Sequence, residues 1–277
     1  MKKVKIKTLN LNNLIEACFD VYQEIGFQIG EPRTILLRKI ISHLECINVL
    51  LAEQFTHEIL IILRSAFESM ILFCYLTVHT DKQQEYISDS ELMEFKNTFI
   101  LVKNWKKDIE LGNPWNLNWD EAIKYHEDIF YNRLSELNKK YILEKLEFNE
   151  YKVNQENFDK IDKFFKTDKR LRKPFFMDME KMYSELPQMY QIGVGLRDLV
   201  FDDYNINSQV THGQYQIWTR GMYTDDRFLE NVKMQLMKIV TYPLLYLKKG
   251  EITINLKKLA RLKNITDQLI ANINKYQ

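Results

Sequence analysis

Little in this chain favours turns or cross-links. Its 277 residues include only 8 glycines, 5 prolines and 3 cysteines. So few turn formers exclude an all-β sandwich or barrel, and a Rossmann sheet would lack its glycines. Cys18, Cys46 and Cys74 each sit in an apolar helical stretch without C-x-x-C spacing. Neither a zinc site nor a disulfide framework follows, and buried thiols in a reducing cytoplasm fit best. An excess of one charge is missing too, since 39 basic and 38 acidic side chains leave a net charge of +1. No global field attracts nucleic acid or anionic lipid, so any such binding needs a local patch. A glycine-rich phosphate loop, a G-x-S-x-G elbow, an H-E-x-x-H pair and histidines at ligand spacing are all absent, and no metal or nucleotide cofactor is expected.

Export signals are also lacking. Met1-Lys2-Lys3-Val4-Lys5-Ile6-Lys7 is basic, but neither an apolar segment nor a small-residue cleavage site follows it, so residues 1–9 read as a short arm. One segment, Glu58 to His79, approaches the ~20 apolar residues that span a bilayer. Arg64 and Glu68 lie near its middle, where charge is costly, and no second segment matches it. The expectation is a helix at the heart of a soluble bundle, with no membrane partner.

Helical periodicity is what the chain has in abundance. Leu14, Cys18, Val21 and Ile25 predict a helix from Asn12 to about Phe27, stopped by Gly26 and Gly30. A second opens at Pro32 and carries Ile35, Leu36, Ile40, Leu44, Ile47 and Leu51 to about Glu53. Thr56 is the candidate N-cap of the third, which is apolar on nearly all faces, as a central helix should be. From Asp81 to Asn149 the character changes to charged amphipathic helices, broken at Gly112-Asn113-Pro114 between Trp115 and Trp119. A short helix over Asn154–Phe165 precedes a basic surface loop, Lys166 to Lys173. Helices resume at Met177–Glu185, after Pro187, at Arg227–Lys248 with a kink at Pro243, and from Ile252 onward. The fold class is all-α: a single helical bundle over residues 1–277 with a central apolar helix and an irregular charged middle region.

Three features could carry chemistry. Arg64 and Glu68, four apart on one helix face, can meet or jointly face a cavity. An ion pair taken into a core must offset several kcal/mol of desolvation per charge. Either the pair fixes the register of the helices, or Arg64 binds a phosphate or carboxylate while Glu68 orients it. Tyr204, Ser208 and His212 follow at i, i+4 and i+8, a polar stripe ~12 Å long if helical. Gly213 behind them allows a plainer reading, in which His212 only complements the helix dipole. Third, Arg38-x-x-x-x-His43 fits an R-x(4–6)-H spacing, although His43 is equally readable as a structural histidine. A further run, Lys160 to Lys173 with Phe164 and Phe165, could grip a nucleic-acid backbone, or be a solvated loop.

Leu63-Arg64-Ser65-Ala66-Phe67-Glu68-Ser69 together with the later Tyr204-x-x-x-Ser208-x-x-x-His212-Gly213 resembles a widespread bacterial family of helical proteins catalogued only as a domain of unknown function. The likeness runs from about Pro32 to Lys248 and implies that Arg64, Glu68, Ser208 and His212 share one polar pocket. More remotely, the chain is similar to HEPN-type bundles of toxin and antiphage systems, in which R-x(4–6)-H acts on RNA. It departs from that pattern at His212, whose nearest upstream arginine is Arg197. The resemblance implies metal-independent cleavage of RNA: His212 as general acid or base, Arg64 on the phosphate charge, Glu68 holding Arg64, Ser208 or Tyr204 positioning substrate. The competing reading is a non-catalytic anion-binding or protein-interaction module, and a homodimer is compatible with either.

Overall fold

Apolar side chains recur every third or fourth residue from Leu14 onward, and the chain answers with helix α1, Asn12–Ile29. A computed structural model describes residues 11–53, 55–110, 118–154, 156–174, 178–187, 225–247 and 252–271. Leu14, Cys18, Val21 and Ile25 are at most 1% exposed. Gly30 ends α1 at φ 66°, a left-handed conformation that only glycine adopts without strain. Gly26, expected as a stop, lies inside the helix, where its bare backbone lets the next helix approach: Thr34 Oγ1 donates to its carbonyl at 2.9 Å. That next helix is α2, Arg33–Ala52, with Pro32 immediately before it rather than as its first residue. α3 runs over Thr56–Val78, and Phe55, not Thr56, occupies the cap position.

Two compact units organise the described residues: Met1–Thr80 with Met179–Gln277, and Asp81–Asp178. In the first, α3 packs against α2, against α9 (Met179–Glu185) and against α10 (Asp225–Tyr246). This central place fits its composition, and every side chain from Ser69 to Thr77 is buried. Within Glu58–Val78, the one described helix long and apolar enough to cross a membrane, 72% of the most apolar window is buried in the protein. Polar side chains tie the helices together. Tyr22 donates to the Val240 carbonyl at 2.8 Å and Tyr75 to Glu185 at 2.9 Å. α10 continues through Pro243, whose missing N–H removes one helical bond. The last described helix, α11 (Leu256–Ala271), lies on α1, with Arg261 reaching Glu16 and Asp20 at 3.0 and 3.1 Å.

The second unit contains α4 (Gln83–Glu110), α5 (Trp119–Tyr125), a π-helical turn (His126–Tyr131), α6 (Glu136–Leu146), α7 (Phe158–Thr167) and α8 (Lys169–Arg172). Its core is aromatic, built on Phe95, Phe99, Phe158, Phe164 and Phe165. Each such ring taken from water contributes roughly 1.5–3 kcal/mol. Trp119 opens α5 and meets Phe158 edge-on at 5.7 Å, while the expected break at Gly112 and its neighbour Trp115 lie outside the described residues. So does the basic arm over residues 1–9.

Candidate functional site

From Ile59 to Thr77, the side chains of α3 that reach solvent are Ile61, Ile62, Arg64, Ser65 and Glu68. Positions 61, 64, 65 and 68 form one stripe at helical spacing, so the polar residues fall together on the single open strip of an otherwise buried helix. Arg64 Nε donates to Glu68 Oε1 at 3.0 Å, and the two side chains are 21% and 35% exposed. The pair is therefore not sealed in a dry core, and the heavy desolvation cost expected for a core pair is largely avoided. Paired i, i+4 charges of this exposure contribute only about 0.5 kcal/mol. Stability alone is a weak reason for two charges on the most apolar helix. Next to them Ser69 Oγ, 1% exposed, donates back to the Ser65 carbonyl at 2.9 Å, so its polarity is spent inside the helix.

Tyr204, Ser208 and His212 lie outside the described residues, as does the helix expected after Pro187. The structure thus positions one half of the proposed pocket, Arg64 with Glu68.

Arg38 and His43 both sit on α2, but five residues turn a helix through about 140° beyond a full circle, so the two side chains leave on different sides. Arg38 is exposed and lines a groove between α1 and α2. His43 is half-buried, and its Nε2 is shut from water without a hydrogen-bond partner. Burial first, and the charge of Lys39 second, bring its pKa down to about 4. A base so weak is poorly matched to proton transfer near neutral pH.

The basic run after Asn154 differs from the expected surface loop. Asp168 caps the short helix α8 by accepting from the Arg170 and Leu171 amides at 3.0 and 3.3 Å. Arg170 is turned onto Asp89, 5% exposed, at 2.5 Å and also reaches Ser88 Oγ at 3.1 Å. Lys166 joins Lys103 on the two oxygens of Asp162, at 2.5 and 2.6 Å. Burial pushes the Asp162 carboxyl up, but the hydrogen bonds from the two lysines outweigh it and hold the group below its usual range. Phe164 and Phe165 are core residues rather than a stacking platform for bases. Lys166 and Arg170 are thus neutralised within the unit, which removes part of the run's charge from a nucleic-acid grip.

Sequence reading passes over His126, which has no solvent access. Its ring stacks on Phe95 at 4.7 Å, and its nitrogens meet Thr98 Oγ1 at 3.2 Å and the Tyr151 hydroxyl at 3.0 Å. Burial lowers its pKa to about 4. A lone histidine in a charged stretch carries no sign of this; only the π-helical turn and distant Tyr151 create it. Among the described residues no three His, Cys, Asp or Glu side chains come together as metal ligands.

These features define an all-α protein with a polar patch on the open strip of its central helix. The sequence profile of the family of unknown function DUF5677 matches residues 32–229, most of the chain, and the chain belongs to that family. The match takes in both Arg64–Glu68 and the Tyr204–His212 motif. No curated protein and no solved structure matches the chain.

Proposed function

We propose that the Arg64–Glu68 strip of α3 binds the phosphate of an RNA chain, and that together with Tyr204, Ser208 and His212 it forms a cytoplasmic, metal-independent phosphodiester-cleaving site of the toxin or antiphage kind. The observation that carries this reading is the pair itself. A guanidinium held at Nε by a carboxylate is fixed in direction, and it sits where the buried helix opens to solvent. Arg64 would neutralise charge that develops on the phosphate, Glu68 would orient Arg64, and His212 would move the proton. Ser208 or Tyr204 would position the substrate. Both motifs fall within the residues that the family profile matches.

One observation favours a second reading. Arg64 Nε is already committed to Glu68, which suits a fixed clamp that binds an anion or a protein partner without turnover. Full-length chain incubated with total RNA at low salt separates the two. Cleavage is expected from wild type, with a drop of roughly 10²-fold or more in His212→Ala. Arg64→Lys, which keeps the charge but loses the planar fork, is expected to lose most of the rate as well. Wild type as inert as His212→Ala, with RNA retained on a filter in an Arg64-dependent way, would leave only the binding module.

A further inference from the structure

Apart from the α3 strip, α1 and α2 enclose a groove of about 310 Å³. Tyr22, Leu37 and Ile41 form its floor and are 2%, 1% and 7% exposed. Phe19 and Phe27 stand at its rim and are 49% and 80% exposed. Gly26 lines it without a side chain, and the close approach of α2 there, where a Cβ would lie 3.0 Å from Thr34 Cγ2, sets one end of the groove. The polar atoms nearest the floor are already used: the Tyr22 hydroxyl on Val240, and Thr34 Oγ1 on the carbonyls of Gly26 and Gly30 at 2.9 and 3.0 Å. Among the described residues that line it, Arg38 carries the charge and none is a carboxylate.

We propose that this groove binds an amphiphilic carboxylate, its apolar body on Phe19, Phe27 and Ile41 and its anionic head on Arg38. The size falls in the range of small-molecule sites, which are mostly apolar with a few placed polar groups. Two exposed phenylalanines eight residues apart on one helix face are a poor surface for water but a good wall for an alkyl or aromatic body. One arginine fork at the mouth matches one carboxylate, and that pairing is the charge complementarity that selects an acid over an alcohol. The site is independent of the RNA reading, because it uses none of Arg64, Glu68, Ser208 or His212.

Octanoate and 1-octanol share a chain and differ in charge, so calorimetric titration of the full-length protein with each tests the proposal. Octanoate is expected to saturate at one site and to bind about tenfold or more tightly than octanol. Arg38→Gln, a change at an exposed position, should abolish that preference while leaving octanol binding within about twofold. Phe27→Ala should weaken both probes and leave the helical circular dichroism unchanged. Absence of saturable octanoate binding, equal affinity for the two probes, or an octanoate affinity indifferent to Arg38→Gln would each overturn it. So would a protein that fails to take up octanoate and dimerises through this face, with Phe27→Asp converting the dimer to monomer in sedimentation.

Discussion

His126 meets a hydroxyl on each ring nitrogen and a phenyl ring on its face, all inside a core where a charged imidazolium is disfavoured. Its folded pKa of about 4 lies below that of an exposed histidine, so the unfolded chain binds the proton more readily. Stability from this residue is therefore complete above about pH 6.5, falls as pH drops towards about 4, and levels off below. The gap corresponds to roughly 3 kcal/mol at most. His43 carries a depression of the same sign in the other unit. A His126→Phe variant isolates the first contribution. At pH 7 it should be less stable by about 1–3 kcal/mol, because Thr98 and Tyr151 lose a buried partner. At pH 4.5 the deficit should shrink or reverse, since phenylalanine takes up no proton. Urea denaturation followed by far-ultraviolet circular dichroism at both pH values measures the difference, and an equal deficit at both would show that protonation of His126 does not govern it.

Helices whose apolar faces are written in consecutive residues were legible from sequence, and those whose meaning depends on distant partners were not. α3 announces itself because most positions from Ile59 to Thr77 are apolar, and α1 and α2 do so by their three- and four-residue spacing. Gly26 misleads, because glycine signals a stop unless a neighbouring helix needs the room, and Thr34 is eight residues further on. α8 is hidden for a related reason: its arginine answers to Asp89, and that acid lies on α4. The Arg64–Glu68 pair was legible as a pair, but its partial exposure was not, since exposure belongs to the helices packed around α3. Arg170→Ala removes the cation facing a carboxylate that is 5% exposed, and should cost roughly 3 kcal/mol or more. Lys166→Ala, at a side chain 63% exposed, should cost under about 1 kcal/mol. Equal effects of the two substitutions in thermal unfolding would mean that burial of Asp89 does not set the energetics of α8.

Taken whole, the chain leaves its first unit at Thr80 and returns to it at Met179, while the second unit is one unbroken stretch, Asp81–Asp178. The change from apolar to charged sequence after Thr80 coincides with this passage, although no glycine- or proline-rich linker marks it. A continuous segment with its own aromatic core and its own buried polar contacts has what independent folding requires. The fragment 81–178 expressed alone should be helical by circular dichroism and should unfold cooperatively, with Arg170→Ala lowering its midpoint. A random-coil spectrum would show that its core depends on the remainder of the chain. The same fragment bears on function. It contains the basic run but neither Arg64–Glu68 nor the Tyr204–His212 motif. With Lys103 and Lys166 on Asp162 and Arg170 on Asp89, it should bind RNA far more weakly than the full-length chain at equal salt. If filter binding instead gave the fragment the full affinity, the RNA contact would belong to the second unit, and Arg64 would lose its proposed role.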